Sequence, residues 1–284
     1  MYYALLSISA LLFSFVFIFS DKYCEKYGSG NKAALIFTAG SHLAGLAALT
    51  VINRFQFEAT AFTLIVAAVS AIDFILFNIC SMRALGKTNL SKYSVFSMTG
   101  GMALPFLSGI LIFHEEVTAG KIICIALMTA ALIVTVEKSE IRGGVPYYIG
   151  VFVTNGLYGV INKFFTFAPF GKTSEAGYSM LTEAFTVLLA VAILLITAGR
   201  KEKVRIKFDG ILYMGGYGIM CAVGNYLLLI ALSVLAASLQ YPFVTGGVLI
   251  ISTVYGFFTS KKPGKKEIIS VALALAGIAA LMIW

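Results

Sequence analysis

FSMTGGMALPFLSGILIFHEE (residues 96–116) is an apolar run that carries a glycine pair, an internal proline and two closing glutamates. A second run, FVTGGVLIISTVYGFFTSKK (residues 243–262), has the same layout but closes on lysines. At a shift of 146 residues (245 − 99), Thr99-Gly100-Gly101 falls on Thr245-Gly246-Gly247, and Lys121-Ile122-Ile123 falls on Glu267-Ile268-Ile269. With one residue of slip, Asn78 meets Asn225, Ala84-Leu85 meets Ala231-Leu232 and Ser91 meets Ser238. Nearer the N-terminus a shift of 141 (163 − 22) lays Ser14 on Asn155, Asp21 on Asn162 and Lys22 on Lys163. Matches in this order across two halves point to an internal duplication.

The composition says where such a chain lives. Of its 284 residues 60% are hydrophobic and 12% charged, with a mean hydropathy of +0.94; that is too apolar for a soluble domain. No basic residue precedes the apolar start and no small-residue cleavage site follows it, so a retained first span is expected rather than a removable leader. Cys24, Cys80, Cys124 and Cys221 stand singly, without the spacing of a metal cluster or a disulfide framework. No metal and no cofactor are expected. The net charge of +8 sits in the connections, where it reads as topology rather than nucleic-acid binding.

Runs long enough to span a bilayer, about 20 residues each, fall at 3–20, 31–52, 59–82, 89–113, 118–136, 145–167, 174–198, 209–232, 235–258 and 266–284. The expected fold is therefore all-α and integral to the membrane, with ten spans in two five-helix repeats, residues 1–138 and 145–284. Because five is odd, the second repeat enters from the opposite face, and the repeats are inverted. All but four of the 21 Lys and Arg (Arg54, Lys121, Lys163 and Lys172) lie in the connections after odd-numbered spans. The positive-inside rule places those connections in the cytoplasm and both termini outside a cell membrane. The change from Glu115-Glu116 to Lys261-Lys262 then reads as a record of inverted topology, which moves functional weight inward from the glutamates.

The two-half layout, the stretch RALGKTNLSKYSVFSMTGGMALPFLSGILIFHEE and its echo IALSVLAASLQYPFVTGGVLIISTVYGFF resemble the EamA-like group of the drug/metabolite transporter superfamily. The resemblance implies a ten-helix carrier built five plus five. It also implies a proline in the fourth helix and a Gly-Glu pair at its end. Pro105 and Glu115 occupy those places, but the glycine is His114. In the second half Pro242 lies earlier in its helix, and Ser260-Lys261 stands where an acidic residue is implied. Family members are drawn with cytosolic termini, against the charge count.

Ionisable residues within the hydrocarbon are functional candidates. Asp73, mid-span in VSAIDFILFNIC, is the first choice for a cation- or proton-carrying carboxylate; a buried structural acid is the alternative. His42 is a further candidate, as a partner of Asp73 or a separate proton-sensitive group, with a satisfied core histidine as the alternative; Glu183 is another, as cavity lining or as a helix–helix hydrogen bond. Asn155, Tyr158, Asn225, Tyr93, Gln240 and Tyr241 are expected to line a cavity suited to a small amphipathic or aromatic metabolite such as an amino acid. Tyr178, Tyr217 and Tyr226 lie beside polar residues in the same way. Asp21-Lys22 and Asn162-Lys163, expected to close their helices, are gate candidates. Snorkelling explains such lysines equally well. Gly100, Gly101, Gly246 and Gly247 allow close helix approach, and Pro105 allows bending. Ala126 and Ala130 of span five, with Ala272 and Ala276 of span ten, have the spacing of a close helix contact.

The expected function is secondary transport of a small organic metabolite by alternating access, in either direction, driven by a proton, an ion or the substrate's own gradient. No nucleotide-binding loop is present. An integral-membrane enzyme is disfavoured by only two histidines and by the absence of HExxH and GxSxG. A non-transporting scaffold leaves Asp73 and the repeat without a role. Composition leaves monomer and homodimer both open.

Overall fold

The computed structural model describes residues 2–87, 90–135, 144–197, 204–258 and 262–283, and among these there are ten helices and no strand. They are α1 (Tyr2–Tyr27), α2 (Asn31–Ile52), α3 (Ala61–Leu85), α4 (Leu90–Leu111), α5 (Ala119–Thr135), α6 (Val145–Phe167), α7 (Glu175–Ile196), α8 (Phe208–Leu232), α9 (Ala237–Gly256) and α10 (Lys265–Ile283). Each expected apolar run forms a helix. Six of them, α1, α2, α3, α7, α8 and α9, are long and apolar enough to cross a membrane. Ser260 and Lys261 lie outside the described residues, as do most of the connections after α5 and α7.

Local chemistry sets the ends. The Thr60 and Ser174 hydroxyls accept from the Thr63 and Gly177 N–H groups at 3.2 and 3.1 Å, starting α3 and α7. α1 runs seven residues past its expected close because DKYCEKY contains no breaker; it stops at Gly28, whose φ of +87° is open to glycine at little cost.

Neighbours in the bundle are mostly distant in sequence. α1 runs along α8 and α9, and α6 runs along α3 and α4. α2 packs on α7 and α8, α3 also packs on α7, α4 packs on α9, and α5 packs on α10. The surface is apolar, with Leu43, Ile65, Ile72, Leu188 and Phe258 exposed. Ser9, Thr38, Ser41, His42, Asp73 and Asn78 are buried. That is the distribution lipid selects: backbone groups satisfied inside each helix and polar side chains turned to one another. Many inward hydroxyls donate to a carbonyl one turn earlier, as Ser14 does to Ala10 and Thr38 to Ala34.

Two glycines set the closest backbone approaches. A Cβ on Gly100 would collide with the Phe152 backbone of α6, and one on Gly218 with the Ser41 carbonyl of α2. Gly101 leaves room for the Asn155 amide, Gly246 faces Ile278 and Gly247 faces Ala10. Of the four alanines with the spacing of a close helix contact, three are not packed inside the bundle. Ala126, Ala272 and Ala276 are exposed, and the α5–α10 seam is made by Cys124, Met128, Ala274 and Leu281 with Gly277. In an apolar environment, small-residue spacing marks a face without saying which face is covered.

Gly218→Val should destabilise the bundle by about 1–3 kcal/mol, since the clash is with backbone. Gly215→Val, at a site with open space around it, should stay within about 0.5 kcal/mol of the parent. Thermal unfolding followed by fluorescence-detected size exclusion compares the two.

Candidate functional site

α1, α3, α4, α6, α8 and α9 surround a central cavity of about 800 Å³ of non-atom space, open solvent at its mouth included. α2, α5, α7 and α10 contribute no wall residue. Each lining helix presents one stripe at helical spacing: Phe13, Phe17 and Ser20 from α1; Asp73, Phe74 and Phe77 from α3; Tyr217, Cys221 and Asn225 from α8.

Among the described residues Asp73 is the only carboxylate on this wall. It is 4% exposed, and neither carboxyl oxygen has a hydrogen-bond partner. A buried carboxylate in that condition costs several kcal/mol.

Several polar groups around it are engaged with the protein. The Asn155 amide donates to the Ser97 carbonyl at 2.6 Å, and the Asn225 amide to Cys221 Sγ at 3.4 Å. The Tyr241 hydroxyl donates to the Gly159 carbonyl at 3.2 Å, and the Thr154 hydroxyl to the Gly150 carbonyl at 2.7 Å. The rings of Phe74 and Tyr158 meet at 4.5 Å between centroids.

Just behind Phe74 lies a second polar cluster. His42 Nδ1 meets Glu183 Oε2 at 2.6 Å, and both side chains are almost fully buried. The Tyr217 hydroxyl donates to Asn78 Oδ1 at 3.2 Å, and the Asn78 amide lies 3.2 Å from His42 Nε2. Because that amide can only donate, Nε2 is the acceptor, and the neutral imidazole carries its proton on Nδ1, directed at Glu183. The His42 ring sits 4.9 Å from that of Phe74. His42 and Glu183 are 141 residues apart, the shift that lays Lys22 on Lys163.

At one end of the cavity Lys163 Nζ meets Glu115 Oε1 at 2.7 Å, with side chains only 2% and 10% exposed. The ammonium also lies 3.7 Å from the centre of the Phe167 ring. The Glu115 oxygens accept from the Ala237 and Ser238 N–H groups at 2.9 and 3.0 Å, so one carboxylate caps α9 and holds α6. Burial alone would raise the Glu115 carboxyl, but Lys163 and Ser238 outweigh it and hold it below its ordinary 4.5. His114 turns the chain here with φ +52°, a left-handed conformation costing an L residue about 1–2 kcal/mol and glycine almost nothing. The Glu115 N–H thereby returns to the Gly109 carbonyl at 2.9 Å.

Of the sequence candidates, Asp73, Asn155, Tyr158, Asn225, Tyr93 and Tyr241 lie together on the cavity wall. His42 and Glu183 lie behind it, paired to each other. Gln240 is buried off the wall, its amide donating to the Leu228 carbonyl at 2.7 Å. Tyr217 is on the wall; Tyr178 and Tyr226 are not. Tyr178 instead bonds Ser70 and Asn162. Neither gate pair closes its helix: α1 continues past Asp21-Lys22 to Tyr27 and α6 past Asn162-Lys163 to Phe167. The matched pairs also differ, since Asn162 and Lys163 are both buried whereas Asp21 is buried and Lys22 exposed. Pro105 packs its ring against Gly159 and has no N–H to give the carbonyl of Gly101, itself a wall residue, one turn earlier.

Sequence reading missed Glu115, although it and Lys163 were both assigned to the side of the membrane poor in basic residues. The four-residue recurrence of Tyr217, Cys221 and Asn225, and of Phe13 and Phe17, also marks inward stripes.

No family model matches the chain, and no curated protein matches it. A protein of known crystal structure superposes with a TM-score of 0.67 over 98% of this chain and 96% of the other, at 15% identity. At that identity the likeness shows a shared fold alone.

Glu115→Gln and Lys163→Met should each destabilise the protein by about 3 kcal/mol, and the double variant by much less than their sum, because each single change strands a buried partner. Glu115 has a lowered folded value, so its contribution is present above pH 4.5 and is lost as pH falls through the folded value. Thermal midpoints between pH 3 and 7 should therefore fall on the acid side in the parent and flatten in Glu115→Gln.

Proposed function

We propose that this chain is a secondary carrier of a small organic metabolite, resembling EamA-like members of the drug/metabolite transporter superfamily. It works by alternating access and needs no cofactor. The observation that carries the reading is Asp73: a buried carboxylate with both oxygens unpartnered, facing a central cavity, is a costly arrangement that calls for a ligand or a proton.

The packing supports ten spans in two inverted repeats, residues 1–138 and 145–284. Adding five to each helix of the first half exchanges α1–α8 with α6–α3, α4–α6 with α9–α1, and α2–α8 with α7–α3; α2–α7, α4–α9 and α5–α10 map onto themselves. The cavity-lining set, α1, α3 and α4 with α6, α8 and α9, obeys the same exchange. Transport sites of inverted repeats form at such an interface. The Tyr241–Gly159 and Lys163–Glu115 contacts bind α6 and α9 at one end of the cavity. In an alternating-access cycle they are the gate on that side, opening as α9 parts from α6.

Proteoliposomes holding the purified chain should accumulate at least one compound of a metabolite panel, with or without an imposed pH gradient. Asp73→Asn should reduce that uptake by about tenfold or more; full uptake by Asp73→Asn rejects the assignment of this site. The charge distribution also predicts that single cysteines introduced at 201–207 react with a membrane-impermeant maleimide only after the cell membrane is opened. Labelling in intact cells would reverse the orientation and place both termini in the cytoplasm.

A further inference from the structure

We propose that the cavity takes an organic monocation, a protonated or quaternary amine on a compact apolar body, with its charge against Asp73. This rests on the carrier reading of the same site and narrows its substrate class.

Charge is the first argument. Among the described residues the wall carries one carboxylate and no lysine, arginine or histidine. Other buried carboxylates are engaged: Glu115 by Lys163, Glu183 by His42, Glu267 by the Gly264 N–H, and Asp21 as well. Asp73 alone among them keeps both oxygens free. An anionic ligand would add a second negative charge beside it.

Hydrogen-bond polarity is the second. A ligand carboxylate needs donors, and Asn155, Tyr217, Tyr241 and Thr154 have already given theirs to protein acceptors, while the Asn225 amide gives one of its two to Cys221. Against these stand the two Asp73 oxygens, buried and without a hydrogen-bond partner. Such a wall suits an N–H-bearing cation and disfavours an amino-acid zwitterion, whose carboxylate would go unpaired.

The third argument is the apolar wall itself. Phe13, Phe17, Phe74, Phe77 and Tyr158 give the wall that carries Asp73 an aromatic surface. Ring faces attract a poorly hydrated cation and leave a phosphate or carboxylate without compensation.

Equilibrium binding tests the proposal without requiring transport. Calorimetric titration of the full chain in nanodiscs would compare phenethylamine and benzyltrimethylammonium with 2-phenylethanol, phenylacetate and phenylalanine, which share a phenyl body and differ in charge. At least one of the two cations should bind about tenfold or more tightly than the neutral, anionic and zwitterionic ligands. Asp73→Asn should weaken it by a similar factor while Asp73→Glu retains it. Asp73→Asn removes an unpaired buried charge, so its thermal midpoint should be unchanged or higher, which separates lost binding from lost fold. Tighter binding of phenylacetate or phenylalanine, cation affinity unaffected by Asp73→Asn, or no binding of either cation would overturn the proposal. Uptake of a neutral or anionic metabolite that depends on Asp73 would overturn it and leave the carrier reading intact. Cation binding with no uptake of any compound would do the reverse.

Discussion

A charge taken out of water into an apolar bundle must find its opposite or a fixed set of dipoles, and this requirement decides which helices of this chain meet. Lys163 on α6 meets Glu115 beyond α4, and the same carboxylate holds the start of α9. His42 on α2 meets Glu183 on α7. Each bond joins segments more than 40 residues apart, and each crosses from one half of the sequence to the other. Apolar packing between helices in lipid has little directional preference of its own, so these few polar contacts fix register where greasy surfaces would slide.

The same requirement gives the cavity its polarity. Helices that line it turn hydroxyls and amides inward, and several of those groups donate to acceptors on their own helix or on another. Spending the donors this way leaves a wall that is mechanically tied yet chemically one-sided. The His42 cluster is wired into that wall twice, through the ring of Phe74 and through Asn78 to Tyr217. With Asn78 donating to Nε2, a second proton on His42 would require the amide to turn and Tyr217 to surrender its acceptor.

Helix positions were legible in the sequence because length and apolarity are local properties, and all ten runs were placed to within a few residues except for the end of α1. Asp73 was legible for a related reason: a charge in the middle of a long apolar run has no local partner. What could not be read was pairing. Glu115 looked like a loop anion because nothing near it in sequence shows that Lys163 and the first turn of α9 converge on it. The covered face of α5 and α10 was hidden for the opposite reason: both faces of such a helix are apolar, so the spacing of their alanines alone does not tell the covered face from the bare one. His114 sits between these cases. Its residue type conceals a glycine-like backbone that only the turn geometry shows.

The His42–Glu183 contact joins α2 to α7 with an imidazole on one side and a carboxylate on the other. Imidazole facing imidazole would leave the pair short of an anionic acceptor there, and carboxylate facing carboxylate would set two like charges in a dry interior. The two halves of the chain are therefore complementary at this point rather than interchangeable, and a change on one side is tolerated only with a matching change on the other.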